Sequence, residues 1–483
     1  MTSFLGRTFW RKSKLMKELI LNFFSFGLAV SLERFLSFLL IPLYASVFSV
    51  TEFGVIDLVQ TFIGVVTIFC FLQLETSLQR FYYEYEGEDK KKFLFSIFSL
   101  ILSITFLLSL GVAVCADYLS NWLCENQQYA MAIRIAAMQM VFSVLSTLTL
   151  ILLRFEKKNK FFTLVVLVKS LLLISFVYYF VSVMHYGING FFLSQLIAIA
   201  LSSLFSLFLV RKLFIFHLSK PYLKLSLKYA LPQFPARVGS ATNAYANRFF
   251  ILGYLDTYHI GLFSMALKIG SIMQLIHQTF MMAWNQYMFE TLKKKNHKQM
   301  FIILYRMTVP AVFFISLCLF LFSEELIVAF ASPKFVESAR YVGCIAIAIA
   351  LLIVKELVDI GPKYLSKTYF LSISFLSALG VNLISLFFLV RYLELSGVVF
   401  SMVLTNIVLL ALSWLFSYRL YPIEFPYRTL LFSALPALIM AITMIYVSIP
   451  LHYRIVMLFL LAGYYSLLIY KGGVHYKKAI CSI

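Results

Sequence analysis

Charge is scarce in this chain. Of 483 residues only 13% are Asp, Glu, Lys or Arg, and carboxylates number just 21. A soluble domain has about a quarter of its residues charged, so water is not the main solvent here. The patterns that carry catalysis are also missing: there is no His-x-x-x-His, no cysteine pair at metal spacing, no Gly-rich phosphate loop and no Ser-containing elbow. No metal site is expected, and the seven histidines are scattered, most of them in or near loops. Strand-type alternation over ten-residue segments is missing too, which excludes a closed barrel and leaves helices as the only element able to cross a bilayer. Of the six cysteines, Cys70, Cys318 and Cys344 sit inside apolar runs as small hydrophobes. Cys115 and Cys124 both reach toward the outer side, where no disulfide is expected.

What the chain has in abundance is apolar length. Hydrophobic residues make up 62% of it, and mean hydropathy is +0.90. Runs of about 20 apolar residues, enough to cross the hydrocarbon core, recur from end to end. They predict an all-α polytopic membrane protein with about fourteen spans, near 19–46, 54–76, 93–115, 128–152, 161–184, 188–210, 228–253, 259–283, 300–322, 341–360, 369–391, 396–418, 428–449 and 453–471. The first run is too long for a signal-peptide core and has no small-residue cleavage site, so it reads as a helix. Loops are short, and the longest outer one, around 322–342, leaves no room for a soluble domain.

A formal net charge of +20 would point a soluble protein toward nucleic acid, but placement argues for topology instead. Basic segments at 7–17, 80–92, 154–160, 211–228, 293–298, 363–367, 419–428 and 471–478 hold 29 of the 41 Lys and Arg, whereas the alternate loops hold only Lys334, Arg340, Arg391 and Arg454. The positive-inside rule then puts both termini and every basic loop in the cytoplasm. The tyrosines near span ends, among them Tyr82, Tyr83, Tyr85, Tyr418 and Tyr421, read as an interfacial belt.

The sequence repeats on itself at an offset of 207 residues. Gly54 falls on Gly261, Lys160 on Lys367, and the run 190–194 (GFFLS) on 397–401 (GVVFS). Six spans repeat, and an even number returns to the same face, so the halves are expected as pseudo-twofold lobes about an axis along the membrane normal, with access alternating around a central cavity. The expected divisions are a basic cytoplasmic N-terminus (1–18), an N-lobe (19–212), a C-lobe (213–422) and two appended helices with a short cytoplasmic tail (423–483).

Ionisable groups inside spans cost roughly 2.5–3.5 kcal/mol each, and so face a wet interior. Here the embedded set is mostly cationic: Arg34, Arg134, Lys169, Arg237, Arg248, Lys268, Arg306 and Lys355. Arg237 and Arg248 are eleven residues apart, which puts them on one helix face about 16 Å apart, with small Ala244 between. Such a ladder suits an anionic group, for which Arg34, Arg237, Arg248, Lys268, Lys169 and Arg306 are the candidate binding residues. The same residues could instead snorkel to interfaces or pair internally, and both readings stand. Among the carboxylates, Asp57 (sharing a face with Gln60), Glu33 and Asp359 are candidates for proton or sodium coupling. Lys355 and Asp359, at i and i+4, also suit an internal ion pair. No other cofactor is expected.

The stretches 36–44 (LSFLLIPLY), 48–54 (FSVTEFG) and 80–85 (RFYYEY) resemble the N-terminal signature of bacterial polysaccharide-biosynthesis flippases of the Wzx type, which belong with lipid II flippases and MATE exporters in one superfamily. The runs 187–190 (GING), 247–251 (NRFFI), 261–264 (GLFS) and 332–340 (SPKFVESAR) extend the resemblance over nearly the whole chain. It implies a V-shaped pair of six-helix lobes with two extra helices, located in the bacterial inner membrane. The implied activity is flipping of undecaprenyl-pyrophosphate-linked repeat units for O-antigen, capsule or exopolysaccharide, with polysaccharide polymerase or assembly proteins as partners. Where many relatives carry Asp-Arg in the seventh span, this chain has Asn247-Arg248. The rival readings are a MATE-type multidrug or small-solute antiporter, whose usual cationic substrates a basic interior would repel, a lipid II-type flippase, and a membrane enzyme, which would carry a large outer loop or an acidic pair there.

Overall fold

The computed structural model describes residues 32, 33, 36, 38–365, 367 and 369–481, and every regular element among them is helical. The chain divides into two compact units, Met1–Phe48 with Val55–Thr242 and Ser49–Gly54 with Asn243–Ile483. In chain order the first helices are α1 (Ile41–Val47), α2 (Val50–Phe71), α3 (Leu74–Phe81), α4 (Gly87–Val114), α5 (Ala116–Cys124), α6 (Ala130–Phe155), α7 (Asn159–Val177), α8 (Gly187–Val210), α9 (Lys220–Ala230) and α10 (Phe234–Tyr254). There follow α11 (Thr257–Thr291), α12 (His297–Leu321), α13 (Ser323–Phe330), α14 (Ala339–Val358), α15 (Gly361–Tyr364), α16 (Tyr369–Leu420), α17 (Tyr427–Tyr446) and α18 (Leu451–Cys481).

In the first unit α6 packs along α4 and α8. Its core is Leu78, Phe93, Ile97, Met140, Leu148 and Val166, among others, knitted by small polar contacts: Ser109 donates to the Ala137 carbonyl at 2.6 Å, and the Thr149 and Ser206 hydroxyls meet at 2.7 Å. Lipid tails are as apolar as leucine, so close packing and such bonds, rather than water exclusion, hold these helices together. Tyr82 departs from the belt expectation. It is 1% exposed and hydrogen-bonded to Glu156, with Lys90 over its ring. In the second unit α14 is central and packs against α11, α12, α16 and α17.

Among the described residues, eleven helices are long and apolar enough to cross a membrane, against about fourteen expected. The difference has identifiable causes. The 52-residue α16 is broken at Glu394, whose φ of 51° and ψ of −131° are not helical, so it holds both the eleventh and twelfth expected spans. The expected seventh span is α10, whose Arg237, Asn243, Asn247 and Arg248 keep it polar. Most of the expected first span, 19–46, lies outside the described residues. The second span ends earlier than expected, because Leu72 and Gln73 take positive φ (44° and 63°) and turn the chain into α3, which carries Glu75.

The repeat is visible in backbone geometry. Gly187 has φ +54° and Glu394, 207 positions on, has φ +51°. Each stands shortly before a glycine that lets the preceding helix close in: a Cβ on Gly190 would lie 2.9 Å from the Phe180 carbonyl oxygen, and one on Gly397 would lie 2.2 Å from that of Leu389. The repeat-related Gly54 and Gly261 pack against one another's helices in the second unit. A Cβ on Gly54 would fall 1.8 Å from the Thr257 carbonyl oxygen, and one on Gly261 would fall 2.0 Å from that of Val50. Only glycine permits backbones to approach so closely.

Candidate functional site

The cations expected to bind an anion are distributed over several helices. Lys169, on α7, is ion-paired with Glu33 in the first unit, and both are partly exposed. Arg237 stands in the first turn of α10 and is exposed; Arg248 stands near the other end of the same helix, as the spacing requires. The guanidinium of Arg248 donates to the Ala244 carbonyl at 3.1 Å and lies 5.4 Å from the Phe263 ring centroid. Its neighbour Asn247 is 5% exposed. In the second unit the Lys268 ammonium stands 4.5 Å over the Phe53 ring. A cation over an aromatic face keeps its charge while losing part of its water, a state suited to meeting an anion. Arg306, on α12, is half-buried with its Cβ side against Gly472 of α18. Arg34 lies outside the described residues.

Two of the three coupling candidates sit in ion pairs: Glu33 with Lys169, and Asp359 with Lys355 at 2.8 Å and Lys363 at 3.6 Å. Glu356 completes the second group, 3.1 Å from Lys355 and 2.6 Å from Lys363, so two lysines and two carboxylates balance at the end of α14. The expected i, i+4 pair is thus part of a larger neutral cluster, with Asp359 fully buried. Asp57 is half-buried on α2.

Two uncharged polar groups were not assembled by the sequence reading, which singled out Gln60 alone among their members. In the first unit Gln139 (α6) donates to the Gln195 (α8) side-chain oxygen at 2.9 Å, and Gln60 (α2) reaches the same oxygen at 3.4 Å. Gln60 is exposed and the other two are half-buried. Three amides gathered well inside their spans cost less beside water or a ligand than beside lipid. In the second unit Asn382 donates to Asn243 at 3.0 Å, accepts from Ser401 at 3.0 Å, and Ser401 meets Ser385, which links α10 to both halves of α16. Amides carry no charge to draw attention in a sequence, and only the fold brings Gln60 and Gln195 together across 135 positions.

The appended pair, α17 and α18, encloses an open apolar groove of about 540 Å³ lined by residues such as Phe432, Leu435, Ile439, Met457 and Leu461. Arg454 of α18, expected in an outer loop, is instead 4% exposed. It donates to the Leu321 carbonyl at 2.9 Å and pairs with Glu324 at 2.6 Å and Glu325 at 2.9 Å, tying α18 to the α12–α13 junction.

The family model for polysaccharide biosynthesis proteins matches residues 19–292, more than half of the chain. No curated protein sequence matches it. Among solved structures, the lipid II flippase MurJ in an inward closed conformation is similar with a TM-score of 0.70 and 18% identity, over 93% of this chain and 99% of that one. An inward-facing multidrug resistance MATE family transporter of the MOP superfamily is similar with a TM-score of 0.55 and 15% identity, over 80% of this chain and 94% of that one. At these identities the likeness is one of fold. The chain is a multi-pass membrane protein that belongs to the polysaccharide biosynthesis protein family, and its fold is like those of the lipid II flippase and the MATE transporter.

Proposed function

We propose that this protein carries undecaprenyl-pyrophosphate-linked oligosaccharide repeat units from the cytoplasmic to the outer leaflet of a bacterial inner membrane by alternating access. Its termini are then cytoplasmic, and it hands its cargo to polysaccharide polymerase or assembly proteins. The observation that carries the reading is the polysaccharide-biosynthesis family match on a chain that shares its fold, nearly end to end, with a lipid II flippase. The chemistry on the helices supports each part of such a substrate. Arg237, Arg248 and Lys268 suit a pyrophosphate, the amides of Gln60, Gln139 and Gln195 suit sugar hydroxyls, and the groove between α17 and α18 suits a polyprenyl tail.

Cells in which Arg34→Ala and Arg248→Ala are combined, at matched protein levels, are expected to lose most surface-polysaccharide export; full export would remove the anion-binding role of these residues. Coupling to protons or sodium belongs to the same proposal, with Asp57 as its first test. Asp57→Asn is expected to weaken transport and alter its response to pH or sodium, and unchanged behaviour would exclude it.

A further inference from the structure

The segment joining α8 to α10 does not belong to the transport pathway just described, yet it is chemically distinctive. From Lys157 to Leu255 the chain holds no Asp or Glu, and within that stretch Arg211, Lys212, Lys220, Lys224 and Lys228 fall close together. At about 100° per residue, α9 has three sectors. Tyr222, Leu223, Leu227 and Ala230 pack on the core of the first unit, and Ser226 is fully buried beside them. Next round the helix come Lys220, Lys224 and Lys228, all exposed, and none of them has a carboxylate partner among the described residues. The third sector is apolar and open to the surroundings, with Leu225 and Tyr229 each 37% exposed. Phe216 (91%) and Leu218 (61%) before the helix and Leu231 (45%) just after it add further exposed apolar side chains to the segment.

An aqueous face would have no use for the third sector, and hydrocarbon would not tolerate the second. Side by side they match one environment, the boundary where acyl chains meet phosphate headgroups. Arg211 and Lys212 end the preceding span, which sets α9 at the same boundary. We infer that α9 and the 216–218 approach to it form a docking surface for anionic phospholipids, with Leu225 and Tyr229 set toward acyl chains and the three lysines on headgroup phosphates. This proposal does not depend on what the protein transports.

The test is hydrogen exchange of the backbone amides at 216–230, with the full-length protein in nanodiscs of phosphatidylcholine alone or doped with phosphatidylglycerol. Each lysine near an anionic surface favours docking about fivefold, so three favour it by up to about a hundredfold. Exchange is therefore expected to slow in the anionic nanodiscs, to regain its neutral-lipid rate when the salt concentration is raised, and to be indifferent to lipid in the combined variant K220Q/K224Q/K228Q. The variant K293Q/K294Q/K295Q, which neutralises exposed lysines elsewhere, should keep the full effect. Equal exchange of the unmodified protein in both lipids would overturn the inference. So would a lipid effect that survives in K220Q/K224Q/K228Q, or one that disappears in K293Q/K294Q/K295Q. The salt arm needs no variant and decides the matter if the triple substitution fails to fold.

Discussion

Replacing Gly261 with alanine adds one methyl group where the structure has no room for it. The new Cβ would lie 2.0 Å from the Val50 carbonyl oxygen and 3.0 Å from the Val50 Cγ1. The obstacle is mainly backbone, so no rotamer change relieves it, and the first turn of α2 would have to move from α11 by more than about 1 Å to restore ordinary contact. Overpacking of this kind costs about 1–3 kcal/mol, and alanine returns up to about 1 kcal/mol through its higher helix propensity. A net loss of about 1–2 kcal/mol is expected, and Gly54→Ala, aimed at the Thr257 carbonyl oxygen at 1.8 Å, should lose as much or more. The controls are Gly111→Ala in α4 and Gly380→Ala in α16, where an added Cβ meets nothing within 4 Å; these should be neutral or stabilising by up to about 1 kcal/mol. Denaturant unfolding of the purified protein in one detergent reads all four. Because both substitutions press on the same approach, the double variant should lose less than the sum of the singles. A Gly261→Ala protein as stable as Gly111→Ala would refute the reasoning.

Glu394 holds a backbone conformation that glycine adopts more readily, so Glu394→Gly should raise stability by about 1 kcal/mol, and an unchanged or lower unfolding midpoint would count against strain at that break. Arg454→Leu should cost about 2–3 kcal/mol and speed hydrogen exchange in α18, because the charged bonds to the Leu321 carbonyl, Glu324 and Glu325 are lost while the two carboxylates can still reach water. A double-mutant cycle of Lys169→Met with Glu33→Gln should return a coupling of about 0.5–3 kcal/mol in unfolding stability, whereas additive effects would mean that the pair contributes nothing.

Much of this fold could be read in the sequence because a bilayer leaves few options. Apolar length fixes the spans, and the repeat matched Gly54 with Gly261 before their close approach was visible. The places where the reading failed share a cause. Hydropathy averages along a helix, so it began the seventh span at 228, inside α9, and left the rest of that helix as a basic loop although lysines every fourth residue mark a separate amphipathic turn; it also missed that Leu72 and Gln73 end α2. Arg454 looked like a loop cation because its partners Glu324 and Glu325 are some 130 positions away. For the candidate site, charge sign was legible and pairing was not: Lys169 and Glu33 lie 136 positions apart, and Gln139 and Gln195 carry no charge to notice.

The central claim is movement of a pyrophosphate-linked lipid oligosaccharide between leaflets, and proteoliposomes measure it directly. Undecaprenyl-pyrophosphate-linked oligosaccharide with a fluorescent sugar is placed in both leaflets, and a membrane-impermeant reductant quenches what faces outward. The account predicts that the protein makes the inner-leaflet pool quenchable, and that Arg248→Ala slows this by about 10–100-fold, the effect of losing one or two charge-assisted hydrogen bonds. An inner pool that stays protected in the presence of folded protein, while a cationic dye is exported from the same vesicles, would contradict it.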